Sequence, residues 1–213
     1  MIESASGIIL RTRPLTETSL IVHWLTPELG RLATVAKGAR QPRSPFHGKL
    51  DMFYEADFNF TRSRRSELHT LREVSLRQPH TAIRTDLGWL QQATYADALI
   101  EQATETESPL PEIHMLFTGL LEHLPQQPPK PRTVFAFELK LLRALGLEPD
   151  IAETQLPAAT QALVSALLEK EWRELGDLKA TAAQARAIDQ FLHGFLIYHL
   201  GKFPNNRAAA LKD

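Results

Sequence analysis

Residues 19–36 read SLIVHWLTPELGRLATVA, and this stretch decides the fold of the first third of the chain. Apolar and polar residues alternate on both sides of Pro27-Glu28-Leu29-Gly30, with the period of two that is typical of β-strands. The tetrapeptide favours a tight turn, because Gly30 can adopt a positive φ. The stretch therefore predicts a hairpin whose strands are 19–25 and 31–36.

The same period continues on both sides of the hairpin. A first strand is expected at 7–10, and alternation of buried and polar positions predicts another at 54–61. A polar tip at 62–66 then leads to a fifth strand at 68–76. Five short strands in about 70 residues predict a small Greek-key barrel such as the OB-fold, although an SH3-like barrel would show a similar pattern.

Beyond Thr81 the apolar residues recur every three or four positions, which predicts helices. The expected helices lie near 86–105, 111–124, 134–145, 158–173 and 182–200. A proline-rich connector at 125–131 cannot continue a helix and separates the second from the third. The pattern predicts an α+β protein, with a five-stranded OB-fold barrel at 1–80 and an all-α helical domain at 81–213.

Composition excludes several classes of site. The 213 residues include no cysteine, so disulfides, cysteine-ligated zinc, iron–sulfur clusters and thiol nucleophiles are excluded. No run of about eighteen apolar residues occurs, so no membrane association through a span is expected. The first residues lack the basic and apolar regions of a secretory signal, and a cytoplasmic location is expected.

The net charge of −1 is divided unevenly along the chain. Residues 1–80 contain 12 Lys and Arg against 8 Asp and Glu, whereas 81–213 contain 12 against 17. The first part is therefore about +4 and the remainder about −5. This asymmetry indicates a polyanionic partner for the first part, although chance clustering of solvated charges would give the same counts.

Cations gather in the third expected strand and in the loop after it, where no acidic residue occurs between Arg31 and Asp51. Glycine and proline keep this loop irregular and exposed, so phosphates can approach it. The candidate DNA-binding residues are Arg11, Arg13, Arg31, Lys37, Arg40, Arg43 and Lys49. OB-folds also stack bases on aromatic side chains, but Trp24, Phe46 and Phe53 have the spacing of core residues.

Enzyme motifs are missing from the sequence. Gly48-Lys49-Leu50 lacks the flanking residues of a phosphate-binding loop, and no GxGxxG, GxSxG or HExxH motif occurs. His193 and His199 are six residues apart and do not share a helical face. The acidic run at 169–177 is typical of a solvated helix face. We therefore expect a protein that is not an enzyme and that holds no cofactor.

The order of several segments resembles the RecO family of recombination mediators. The segments are 7–20, 26–30, Ala36-Lys37-Gly38-Ala39-Arg40, 137–142, 145–149 and 198–201, and the alanine-lysine-glycine-alanine-arginine segment is the most specific. The resemblance implies an OB-fold that binds single- and double-stranded DNA, anneals complementary strands and helps load a recombinase on DNA coated by single-stranded DNA-binding protein. It also implies a DNA repair role, and association with the nucleoid when the protein is bound to DNA.

The resemblance further implies two protein partners, RecR and the C-terminal tail of single-stranded DNA-binding protein. The tail is bound by the family's helical domain. No residue match fixes the contacts, so the cations near the proline connector are the candidates for this acidic, apolar peptide: Lys130, Arg132, Lys140 and Arg143.

One departure from the family concerns zinc. Many members carry a four-cysteine zinc module soon after the leucine-glycine end of the central helix. Here Pro149-Asp150-Ile151 runs almost directly into helical sequence, so the module is expected to be absent and no zinc to bind.

Two other interpretations of the chain stay open. An OB-like barrel can bind protein instead of nucleic acid, which would make the chain an interaction adaptor without direct DNA binding. A hydrolase with scattered catalytic residues is the third possibility, and no motif favours it.

Overall fold

The computed structural model describes residues 2–212. Their contacts divide the chain into two compact units. The first runs to Thr81 and includes Thr104–Thr118, and the second consists of Ala82–Ala103 and the chain from Gly119 onward. From the sequence we predicted a domain boundary at residue 80. In the structure, the unit that contains the barrel also includes residues 104–118.

The first unit is a closed barrel in which the strands follow the order β1-β2-β3-β5-β4. The strands are β1 (Ile2–Pro14), β2 (Leu20–Thr26), β3 (Gly30–Ala36), β4 (Glu55–Thr61) and β5 (Leu68–Gln78). Only the β3–β5 pair is parallel, and β1 pairs with both β2 and β4. A five-stranded Greek-key barrel with this order has the topology of the OB-fold, which resolves the SH3-like alternative.

Strand β1 is longer than the sequence pattern predicted. Residues 2–8 pair with β4 and residues 8–14 pair with β2, and the register shifts between Ile9 and Arg11. Such a bulge bends a strand and increases its twist, so one strand can serve two neighbours and close a small barrel.

Aromatic side chains fill the interior of the barrel. Trp24 stacks on Phe58 with 4.0 Å between ring centroids, and its Nε1 donates a hydrogen bond to Thr34 Oγ1 at 2.9 Å. Phe46 and Phe53 are also buried. Trp24, Phe46 and Phe53 are therefore core residues and not platforms for stacking bases.

The segment 104–118 extends the edge of β3. Thr106 forms a parallel bridge with Arg31, and the Leu110 amide donates to the Pro27 carbonyl at 2.9 Å. Gly30 has a φ of +65°, and a Cβ at this position would lie 1.9 Å from the Ser108 carbonyl oxygen. Only glycine fits there, because the backbone of the segment approaches too closely for any side chain.

The second unit is helical. Its helices are α1 (Leu87–Ala103), the end of α2 (Pro111–His123), α3 (Pro131–Ala144), α4 (Ala158–Glu169), α5 (Ala182–Leu200) and α6 (Arg207–Ala210). Helix α4 ends four residues before the predicted end, and a short 3-10 helix, Trp172–Asp177, follows it. No helix within residues 2–212 is long and apolar enough to span a membrane.

Helix α3 is the centre of the helical core. Phe135, Leu139 and Leu142 pack with residues of α4 and α5 in one apolar cluster. Glu138 on the same helix is fully buried, and its carboxylate accepts hydrogen bonds from Tyr95 and Arg207. Burial raises the pKa of Glu138, and the hydrogen bonds and charge of Arg207 oppose this effect.

Candidate nucleic-acid interface

Two of the predicted cations lie on the outer face of β1 beside a histidine of β2. Arg11 is directly opposite His23 in the strand register. Arg13, two residues further along β1, points the same way, and its Nη2 lies 3.2 Å from His23 Nε2. The bulge before Arg11 sets this register, so the local geometry of β1 brings both arginines to one histidine.

The pKa of His23 is lowered by its burial and by the arginines around it. Burial, together with the charges of Arg11, Arg13 and Arg31, lowers the pKa of His23 to about 4. His23 is therefore neutral at physiological pH, which leaves one ring nitrogen able to accept the hydrogen bond from Arg13.

Arg31 has a structural role in addition to its charge. Its Nε donates to Thr104 Oγ1 at 2.8 Å, and its Nη2 donates to the Thr104 carbonyl oxygen. The guanidinium therefore holds the segment 104–118 against β3. Arg31, one of the seven predicted DNA-binding residues, is thus tied to this segment.

The loop after β3 presents three of the predicted cations to solvent. Lys37, Arg40 and Arg43 are exposed. The loop is a series of hydrogen-bonded turns anchored by the buried ring of Phe46. Arg40 also fixes the β1–β2 loop, since its Nη1 donates to the Thr16 carbonyl at 2.9 Å.

These loop cations lie at the same end of the three strands as Arg13. In the register, Arg13 is opposite Ile21, and Ile21 is opposite Val35 near the end of β3. Lys37 follows two residues later in the chain. The cationic face, defined as Arg11, Arg13, Lys37, Arg40 and Arg43, thus extends from β1 to the loop after β3.

Lys49 lies elsewhere. It lines a cleft of about 350 Å³ between the loop and strands β4 and β5, together with Asp57, Arg72 and Glu73. The acidic neighbours reduce the local positive potential, so Lys49 does not join the cationic face.

The sequence reading missed two exposed cations in the β4–β5 loop, Arg64 and Arg65. They were included in a polar tip and not counted as candidates. The sequence does indicate this cluster of positive charge, because three of the four residues 62–65 are arginines. Arg62, however, is paired with Glu3 and Glu107, which leaves Arg64 and Arg65 as the additional candidates. In OB-folds this loop and the face of strands two and three are common positions for oligonucleotides.

The four predicted peptide-binding cations separate into two pairs. Lys130 and Arg132 line an apolar pocket of about 580 Å³ in the helical unit. Its apolar walls include Phe135, Leu163, Leu167, Leu178 and Ile188, and Lys179 adds a third cation. We call this the α3–α5 pocket.

The other two cations are outside the α3–α5 pocket. Lys140 donates to the Leu168 carbonyl at the end of α4 at 2.7 Å, and burial lowers the pKa of its ammonium group. Arg143 pairs with Glu148 and Glu169, whose hydrogen bonds raise the pKa of its guanidinium. The structure thus engages both side chains in local contacts and does not place them beside Lys130.

Only a short connection joins α3 to α4, where many members of the family carry the zinc module. A 3-10 helix, Ile151–Glu153, follows α3 and leads to α4 at Ala158. Within residues 2–212 no group of three or more histidine, aspartate or glutamate side chains is arranged to hold a metal ion.

Comparison with known proteins identifies the family. A family model described as recombination protein O N terminal matches residues 1–80, and one described as recombination protein O C terminal matches residues 84–154. The matched segments fall on the barrel and on the helices that follow it.

Curated relatives agree with these models. The DNA repair protein RecO of Exiguobacterium sibiricum is 33% identical over 151 residues, which are 71% of this chain and 60% of the relative. The protein of the same name from Anaeromyxobacter sp. (strain K) is 35% identical over 68% of this chain and 57% of the relative. The one from Symbiobacterium thermophilum is 35% identical over 70% of this chain and 58% of the relative.

The aligned part of the chain thus spans less than two thirds of the length of these relatives. The two family models nevertheless match most of the chain in the expected order. On these matches, and on a five-stranded barrel followed by helices, the chain belongs to the recombination protein O (RecO) family.

Proposed function

We propose that this chain is a DNA-binding recombination mediator that acts without covalent chemistry. The observation that carries the proposal is the cationic face, because positive charges gathered on one exposed surface attract phosphate groups. The ligands are single- and double-stranded DNA, bound through the backbone and without regard to base sequence.

Annealing follows from neutralisation of charge. Two complementary strands repel each other through their phosphates, and cations on one protein surface reduce this repulsion and release counterions. Strands held together can then pair. No group of catalytic residues is needed for this step, so we propose that the protein is not an enzyme.

The α3–α5 pocket supports the second part of the proposal, which concerns loading of a recombinase. An acidic peptide that ends in apolar residues would place its side chains against Phe135 and Leu163 and its carboxylates near Lys130 and Lys179. This chemistry matches the C-terminal tail of single-stranded DNA-binding protein. Binding the tail would bring the mediator to single strands coated by single-stranded DNA-binding protein. RecR is a further partner in this step. The expected location of the DNA-bound protein is the nucleoid.

An annealing assay tests the proposal. Two complementary labelled oligonucleotides are mixed with the full chain, and pairing is followed by energy transfer between the labels. We expect faster pairing with protein than without it, and loss of the acceleration at high salt because the phosphate contacts are screened. A folded protein that neither binds nor pairs the oligonucleotides at low salt would favour the adaptor that binds only other proteins.

A further inference from the structure

His23 occupies an unusual position for a histidine. It lies half-buried on the outer face of β2, directly opposite Arg11 of β1, and its ring nitrogen is 3.2 Å from the Arg13 guanidinium. A histidine in contact with a cation stabilises the protein only while it is neutral and accepts the hydrogen bond.

Three arginines act on His23 with positive charge. Arg11 and Arg13 act on it from β1, and Arg31 acts on it from β3. The residue opposite it on β3 is Ala33, which carries no charge. In the free protein, burial and the charges of these arginines lower the pKa of His23 to about 4.

We propose that Arg11, Arg13 and His23 form a phosphate-binding subsite in which His23 takes up a proton when a nucleic-acid phosphate binds. The inference rests on the proposed function, since it names the contact that the backbone of bound DNA makes on this face. His23 is then a positioning residue in the free protein and a phosphate ligand in the complex.

Phosphate binding replaces one hydrogen-bond partner of Arg13 by another. In the free protein the neutral His23 ring accepts from Arg13 and holds its guanidinium over the β1–β2 surface. A phosphate oxygen then replaces the ring as the acceptor for Arg13. The ring nitrogen takes a proton from solvent and donates to the same phosphate, and no covalent bond to the protein or DNA changes.

Linkage sets the size of the expected effect. A phosphate adds negative charge beside the ring and offsets the arginines, so the pKa of His23 in the complex rises toward its ordinary value of about 6.5. Binding therefore becomes stronger as the pH falls below about 6.5. With a pKa near 4 in the free protein, affinity at pH 5.5 is about tenfold higher than at pH 8.

The experiment measures oligonucleotide binding by the full chain from pH 5.5 to 8 at constant ionic strength. The variant is His23→Gln, whose side-chain oxygen can still accept from Arg13 but cannot take up a proton. His47→Gln is the matched control, because His47 is an exposed histidine of the loop after β3. Circular dichroism at both pH limits checks that each protein is folded.

We expect the wild type and His47→Gln to bind about tenfold more tightly at pH 5.5 than at pH 8, and His23→Gln to show no such difference between the two pH values. An oligonucleotide with neutral methylphosphonate linkages should show no gain, because it offers no anion to the subsite. His23→Asn provides a second variant if the glutamine fails to fold.

Two negative outcomes are distinct. If His23→Gln and the wild type show the same pH dependence, the subsite is wrong while DNA binding stands. If the wild type binds no oligonucleotide at any pH, the proposed function fails as well.

Discussion

Arg207 of α6 compensates the buried negative charge of Glu138 in the helical unit. Its Nε and Nη2 donate to the two carboxylate oxygens of Glu138 at 2.7 and 3.0 Å, and its Nη1 contacts Asp189. Both Glu138 and Arg207 are almost completely removed from solvent. A buried pair of this kind stabilises the fold little in total, but loss of one partner leaves the other charge buried and unpaired.

Arg207→Met should therefore lower the free energy of unfolding by about 3 kcal/mol. The double variant Arg207→Met with Glu138→Gln should recover part of that loss, because no charge is then left in the core. Urea denaturation of the three proteins measures both effects. Equal stability of the wild type and Arg207→Met would contradict the role given to this pair.

At the scale of one element, Gly30 and Gly48 provide a matched test of whether the segment 104–118 packs on β3. Both have a positive φ, of +65° and +70°, but only a Cβ at Gly30 would meet another backbone, the Ser108 carbonyl. Gly48→Ala should cost about 1 kcal/mol in unfolding free energy from strain alone. Gly30→Ala should cost clearly more, since the segment must also move. Equal losses in the two variants would show that the segment does not pack on β3 as described.

The α3–α5 pocket leads to a prediction about peptide binding. Lys130→Glu with Lys179→Glu should weaken binding of an acidic, apolar peptide about tenfold or more, because two attractive contacts become repulsive. Lys202→Glu with Lys212→Glu is the control, with the same change in net charge at exposed positions of the same unit. Fluorescence anisotropy of the labelled peptide measures the difference. Equal loss in both variants would assign the effect to net charge and not to the pocket.

The elements that the sequence predicted best are those with long periodic patterns. Helix α5 has the predicted bounds, 182–200, because its cap and apolar stripe are both local signals. Helix α6 was missed, since four residues are too short to show a period. The packing of 104–118 on the barrel was missed for a different reason: the pairing of Thr106 with Arg31 joins residues far apart in sequence.

The candidate site shows the same limit. A run of cations identified Lys37, Arg40 and Arg43, but composition cannot tell which cations already have protein partners. Arg143 and Lys140 were chosen for their charge, and the structure engages them with Glu148, Glu169 and the end of α4. His23 was not considered, because its role depends on the register of β1 against β2.

At the scale of the whole molecule, three histidines with lowered pKa values determine how we expect stability to depend on pH. Burial lowers the pKa values of His80, His114 and His123, and it is the main cause for each of them. Their neutral forms are therefore favoured in the folded state. The folded state keeps this contribution to its stability in full at pH values above about 6.5, the pKa of histidine in the unfolded chain. Stability decreases as the pH falls below that value, because the unfolded chain then takes up protons that the folded state does not.

The thermal midpoint should accordingly be lower at pH 5.5 than at pH 7.5, as calorimetry can measure. His114→Gln should reduce this difference, because His114 Nε2 is buried without a hydrogen-bond partner among the described residues. A midpoint that stays constant over this range would contradict the neutral state of the three histidines.

We propose that the barrel binds nucleic acid through backbone phosphates at its cationic face. Lys37 and Arg43 are suited to a direct test, because both are exposed, whereas Arg40 also holds the β1–β2 loop. The measurement is the slope of log affinity against log salt for a single-stranded oligonucleotide, with the wild type and with Lys37→Ala/Arg43→Ala. We predict a slope that is smaller by about 1.4 in the folded double variant, and equal weakening for all base sequences. An unchanged slope in that variant would contradict the proposed interface.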